Sequence, residues 1–287
     1  MSLPPALARG AVRRGLDLAS GGDLGTVLVG SVVALEVRPG RTDPALMTVR
    51  QGGETLFARV TGGVRDTLGP GRAEDVARHY AALAGALPAR GSVTPWLRYT
   101  LERVGSTGHE DAAGARADLA AALQALAAHG GSAAAITRVV GNIGADGTLA
   151  CQGTTLVRRA DLRQHFTLSA ALQGAGGSAA SFGFGEIKEL VDAGRDGGSG
   201  FSFDDIAADL AGIRFAEAAR AALPDDLAAF SARLTSEAAF LPRHDDLPSF
   251  MSAADFTALY GGPDSPLYAA QLDEISARID RLPAFGG

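Results

Sequence analysis

Three pairs of ionisable residues, all lying between Asp161 and Asp209, constrain what this chain can fold into more than any other feature. They are Asp161 and His165 in RADLRQHFTLSAAL, Glu189 and Asp192 in GEIKELVDA, and Asp205 and Asp209 in SGFSFDDIAADLAG. Within each pair the spacing is three or four residues, which places both side chains on one face of a helix. The sequence around them is rich in alanine and leucine, the composition of helices packed in a bundle. Six such groups turned inward from three helices are costly to bury unless they bind something or neutralise one another.

The bulk numbers narrow the class. A chain of 287 residues suffices for one large domain or two small ones. With 46% hydrophobic and 20% charged residues it reads as an ordinary soluble globular protein rather than a disordered one. A net charge of −6, with no basic run interleaved with aromatics, argues against nucleic acid as a partner. The single cysteine, Cys151, excludes an internal disulfide and a Cys-rich zinc site. The longest apolar run, from Leu24 to Val37, is shorter than the ~20 residues a spanning helix needs. It is β-branched and contains Glu36, so it reads as a strand. Arg9, Arg13 and Arg14 precede it in the manner of a signal peptide, but Asp17 and Asp23 intervene and no clear A-x-A site follows.

The predicted fold class is mainly α, a helical bundle with a small N-terminal β hairpin or ribbon. Residues 1–70 are expected to hold a short helix and that β element, in which Gly52-Gly53 makes the turn between two β-rich runs. Residues 71–287 are expected to form a helical domain containing the motif helices (157–222) and a helical C-terminal tail. Helical periodicity is clear over 72–87, 94–104, 110–129 and 225–241. In the tail, Ser252 is placed to cap one helix and SPLYAAQLDEISARIDRLP forms another.

Each polar pair has a plain structural reading. Asp161, His165 and Ser169 recur every four residues as a stripe, in which Asp161 complements the helix dipole and accepts a hydrogen bond from His165. Lys188, the only lysine, can pair with Asp192 one turn on. Ser202 is placed as an N-cap with Asp205 at the third helical position. Gly212 is different. It continues the Asp205–Asp209 face, where an exposed helix gains nothing from glycine and loses about 1 kcal/mol relative to alanine. It predicts close approach by a neighbouring helix or ligand. The remaining histidines, His79, His109, His129 and His244, show no comparable partners nearby, and Arg243-His244-Asp245-Asp246 reads as a solvated loop.

Taken together, the pairs supply an imidazole and several carboxylates, which suits a divalent metal ion with nitrogen and oxygen ligands. His165, Asp205 and Asp209 are the expected metal ligands. His165 and Glu189 are the expected catalytic acid/base pair, with Asp161, Lys188 and Asp192 orienting them. The alternative is a closed network without catalysis, and Lys188 favours it, because an inward ammonium would neutralise Glu189 or Asp192. HExxH, GxSxG and P-loop signatures are all absent.

The same residues carry a family likeness. D-x-x-x-H-F at 161–166, K-E-x-x-D at 188–192 and G-x-G-F-S-x-x-D-x-x-A-D-x-x-G at 198–212 resemble the YfiM-like family of bacterial envelope proteins, many of them predicted lipoproteins. The likeness is specific over roughly 157–222 and continues in the tail at LPSFMSAADFTALYGG. It implies envelope or membrane association and a periplasmic setting, although no lipobox cysteine is present. With a catalytic site, the expected reaction is hydrolysis of an envelope- or lipid-related ester or amide. Without one, the expectation is a non-catalytic envelope-associated scaffold or interaction module.

Overall fold

A computed structural model describes residues 72–84, 86–132, 151, 153–176, 200–262 and 265–286. The expected N-terminal helix and β hairpin, and the helix carrying Lys188, Glu189 and Asp192, lie outside the described residues. What is described is mainly helical. In chain order the helices are α1 (Arg72–Leu83), α2 (Thr94–Gly105), α3 (Ala112–Ala127), α4 (Ala160–Gly176), α5 (Phe203–Ala221), α6 (Leu227–Arg233), α7 (Ala253–Tyr260) and α8 (Pro266–Asp280). Two three-residue strands, β1 (Arg90–Ser92) and β2 (Gly153–Thr155), pair in parallel, with Gly91 opposite Thr154. Strands that short give no alternating pattern for sequence reasoning to find.

Helix α3 explains the arrangement. Its sequence AAGARADLAAALQALA is apolar from Leu119 to Ala127 except for Gln124, and all of that stretch is buried. A helix apolar all round has to be enclosed by others. Here α1, α2 and α4 pack against it, and α5 closes over α4 in the most extensive helix–helix contact among the described elements. Trp96, Leu97 and Leu101 of α2 and Val76 and Leu83 of α1 fill the space beside α3. Beyond Ala127 the chain forms a π-turn through Ser132, and His129 there stacks on Tyr80 with ring centroids 3.7 Å apart.

Aromatic packing fixes the C-terminal tail to the start of α5. Phe201 stacks on Phe256 of α7 at 4.2 Å, and Phe203 meets Tyr260 at 4.8 Å. Tyr268 of α8 contacts Phe201, Phe203 and Phe256. Backbone bonds between Phe201 and Met251, at 2.7 and 2.9 Å, tie the same two segments. The expected cap at Ser252 is present: its side chain accepts the Asp255 amide, and α7 ends on Gly261 in the left-handed region at φ 70°. The expected helix over 225–241 is shorter than its periodicity suggests. It stops at Arg233, where Leu234 leaves helical geometry (ψ 63°), and Glu237–Ala239 forms a separate 3-10 turn after an extended Ser236. No described helix is long and apolar enough to cross a membrane.

Candidate functional site

The polar pairs on α4 and α5 meet. His165 Nδ1 lies 3.1 and 3.2 Å from the two carboxylate oxygens of Asp209, and Ser169 Oγ donates to the same carboxylate at 2.6 Å. The other ring nitrogen, Nε2, is 3.7 Å from Asp205 Oδ2. One turn further along, Gln173 Nε2 donates to Glu217 Oε1 at 3.2 Å. His165, Ser169 and Gln173 on α4 thus follow Asp205, Asp209 and Glu217 on α5 in ascending order, so the two helices run parallel.

Gly212 lets them come this close. A Cβ at position 212 would stand 2.2 Å from the Phe166 carbonyl oxygen, a separation no side chain tolerates. The expectation of close approach at this glycine is met, and the partner is the backbone of α4. Phe166, fully buried, packs on Phe215 and Phe240 beside that contact.

Arg159, just before α4, completes the cluster. Its guanidinium donates to Asp161 Oδ2 at 2.6 Å and Oδ1 at 3.2 Å, bonds Asp204 Oδ2, and lies 3.4 Å from Asp205 Oδ1. Asp204 Oδ1 in turn accepts the Asp205 backbone amide at 3.0 Å. Asp204, Asp205, Asp209 and His165 are all buried. Burial works to raise the pKa of Asp161, but the hydrogen bond and charge of Arg159 outweigh it and hold that carboxyl below its ordinary value. The Arg159 guanidinium is correspondingly shifted up by Asp161 and Asp204.

Two expected roles change. Asp161 does not orient His165: its side chain is 52% exposed and is taken up by Arg159, because α4 turns its second residue outward and the imidazole inward toward α5. Ser202 holds the N-cap position of α5 but makes no side-chain cap; its hydroxyl accepts the Phe250 amide at 3.0 Å. Arg163 bonds the Gly130 carbonyl and links α4 to the π-turn. Arg159 is a cation that sequence reasoning offers as a partner for these carboxylates, and the residue it missed is Asp204. The signal for Asp204 was the doubled acid at the start of α5, which spacing rules alone read as helix-dipole complementation.

A second buried carboxylate was not anticipated at all. Asp118 on α3 accepts from His79 Nε2 at 2.7 Å and Arg78 at 2.8 Å on one oxygen, and from His109 Nε2 at 3.2 Å on the other. Burial pushes this carboxyl up, yet His79, His109 and Arg78 together hold it at about 2. His129 also has a partner, donating from Nε2 to the Tyr80 carbonyl at 2.7 Å. The expectation that His79, His109 and His129 stand without comparable partners is therefore corrected. Each partner lies too far along the chain for spacing to reveal, apart from Asp118 beside His109. Arg243, Asp245 and Asp246 do form an exposed loop, with Arg278 bonding Asp246 at 2.8 and 2.9 Å.

Among the described residues, no group of three or more His, Cys, Asp or Glu side chains is arranged to hold a metal ion. Glu189, the expected acid/base partner of His165, lies outside them, with Lys188 and Asp192. Two surface hollows are lined by described residues, and neither includes His165, Asp205 or Asp209. No family model, curated protein or solved structure matches this chain.

Proposed function

We propose that the chain is a non-catalytic scaffold or interaction module, and that its His/carboxylate cluster is a structural network setting how α4 meets α5. The observation that carries this reading is the wiring around Asp209, which takes both His165 and Ser169 from the opposite helix inside a buried contact. A nucleophilic serine would have to reach the imidazole, its base. Here the hydroxyl donates to the aspartate, and the imidazole is held between two carboxylates of one helix. Placement in the bacterial envelope, with possible contact to its membrane, rests on the resemblance of the motif region.

A second reading, a divalent-metal-dependent hydrolase acting on an envelope- or lipid-related substrate, is favoured by the same juxtaposition of imidazole and carboxylates. In it His165, Asp205 and Asp209 ligate the ion and Glu189 exchanges protons with substrate. The two readings part on stability. Removing one partner of a buried charged network costs about 3–5 kcal/mol, whereas loss of a catalytic carboxylate often leaves stability unchanged or improved. Chemical denaturation of Asp209→Ala is expected to show that large loss, and chelator is expected to leave the melting temperature of the natural chain unchanged. A variant as stable as the natural chain, together with stoichiometric metal in the purified protein and chelator-induced destabilisation, would sink the scaffold reading.

A further inference from the structure

The larger of the two hollows, about 820 Å³, lies away from the α4–α5 cluster. Leu87, Pro95, Tyr99, Val157 and Leu234 supply its apolar surface, and Arg98 is the one cation among its lining residues. Four segments form its walls: the stretch before β1, the run from the end of β1 into α2, the turn after β2, and the stretch following α6. One carboxylate ties several of them together. Glu237 Oε1 accepts from Ser92 Oγ at 2.7 Å, and Oε2 accepts the Val157 amide at 2.7 Å. Ser92 Oγ also lies 2.9 Å from Thr94 Oγ1, whose hydroxyl can donate to it, and accepts the Thr94 amide at 3.1 Å.

The turn held by Glu237 is strained. Leu156 and Arg159 pair in antiparallel fashion across Val157 and Arg158, which take φ values of 47° and 64°. Turns of this hand are normally built from Asn and Gly. A β-branched residue at positive φ is an outlier that persists only where its surroundings over-determine it. Val157 is one of the apolar lining residues, so the strain presents its side chain to the hollow.

The hydrogen-bonding inventory selects the ligand. Both oxygens of Glu237 are engaged. Glu102 accepts from Ser231 Oγ at 2.8 Å. Arg98 has five donors and only a loose contact of 3.6 Å to Glu102 one turn on, its side chain 46% exposed. A carboxylate facing Arg98 would gain a two-pronged, charge-assisted pair that the present contact does not supply. The volume falls within the range of small-molecule sites. From these observations we infer that the hollow binds a small carboxylic acid with an apolar body, the body on Val157, Leu234 and Tyr99 and the carboxylate on Arg98.

Titration of the full chain with 4-phenylbutyrate, 4-phenylbutan-1-ol and 4-phenylbutylamine tests this by calorimetry and ligand-observed NMR. The acid is expected to bind about tenfold more tightly than the alcohol, and the amine more weakly than either. Arg98→Gln should erase the advantage of the acid while leaving the alcohol unchanged. Ala238→Trp, at an exposed position on the rim, should block both. Equal affinity for acid and alcohol in the natural chain, tighter binding of the amine, or no detectable binding of the acid overturns the inference. The first comparison needs no variant to fold.

Discussion

Asp118 and Asp209 are both buried aspartates reached by histidine, yet their surroundings are built on different ratios of donors to acids. Asp118 is the one buried acid of its cluster and takes three donors, His79, His109 and Arg78, two of them from α1, with Arg78 also reaching the solvent-facing Asp75 at 3.1 Å. Asp209 belongs to a run of three acids on α5, with Asp204 and Asp205, served from the α4 side by Arg159, His165 and Ser169. Burial is similar in the two places. What differs is how much the loss of one partner leaves exposed to low dielectric: around Asp118 two donors remain, whereas around Asp209 the donors are shared, His165 also facing Asp205 and Arg159 being divided among Asp161, Asp204 and Asp205. Sensitivity to mutation should therefore follow the ratio of donors to acids rather than depth.

The contrast can be broken most severely at Asp209, where alanine should cost the ~3–5 kcal/mol expected of a buried partner lost. Gly212→Ala should come next, at about 3 kcal/mol, the upper end for overpacking, because the added methyl meets a backbone oxygen that cannot rotate away. Urea denaturation measures both. Acid then sharpens the comparison from the other side. The Asp118 carboxyl is held at about 2 in the folded chain, below its ordinary 3.8. Its stabilisation is accordingly present in full above pH 3.8 and is lost as pH falls toward 2. The amount is about 2 kcal/mol, and denaturation of Asp118→Asn across that window should show a flatter pH dependence. His109→Ala should cost only about 1 kcal/mol, since His79 and Arg78 stay in place. A loss comparable to that of Asp209→Ala would refute the donor-ratio argument. Arg243→Ala, breaking a pair exposed by more than two-thirds on both sides, should shift the melting temperature within error.

Helical spacing made the α4–α5 cluster legible before any coordinates. His165 and Ser169, and Asp205 and Asp209, are each one turn apart, and a glycine on a carboxylate face has few explanations other than a close neighbour. Periodicity also delivered the mainly helical class and the bounds of α2 almost to the residue. It failed where the governing interaction is long-range. Arg159 lies 45 residues from Asp204, and His79 lies 39 from Asp118, so no local pattern links them. The direction of α5 relative to α4 was likewise invisible, because a polar stripe looks the same whichever way its partner runs. Asp161 was misassigned for a related reason: a stripe fixes a face but not where that face ends, and the first turn of α4 already belongs to solvent and Arg159.

The notch at Gly212 has a consequence for how the two helices find each other. If α5 slid by one turn in either direction, Ala208 or Ala216 would replace glycine against the Phe166 carbonyl, and both carry the methyl that the gap excludes. In the second of these slips Ile213 would also take the place of Asp209 opposite the imidazole. The pair works as a lock with a single keyed position, so that misregistered assemblies are rejected by shape before electrostatics is consulted.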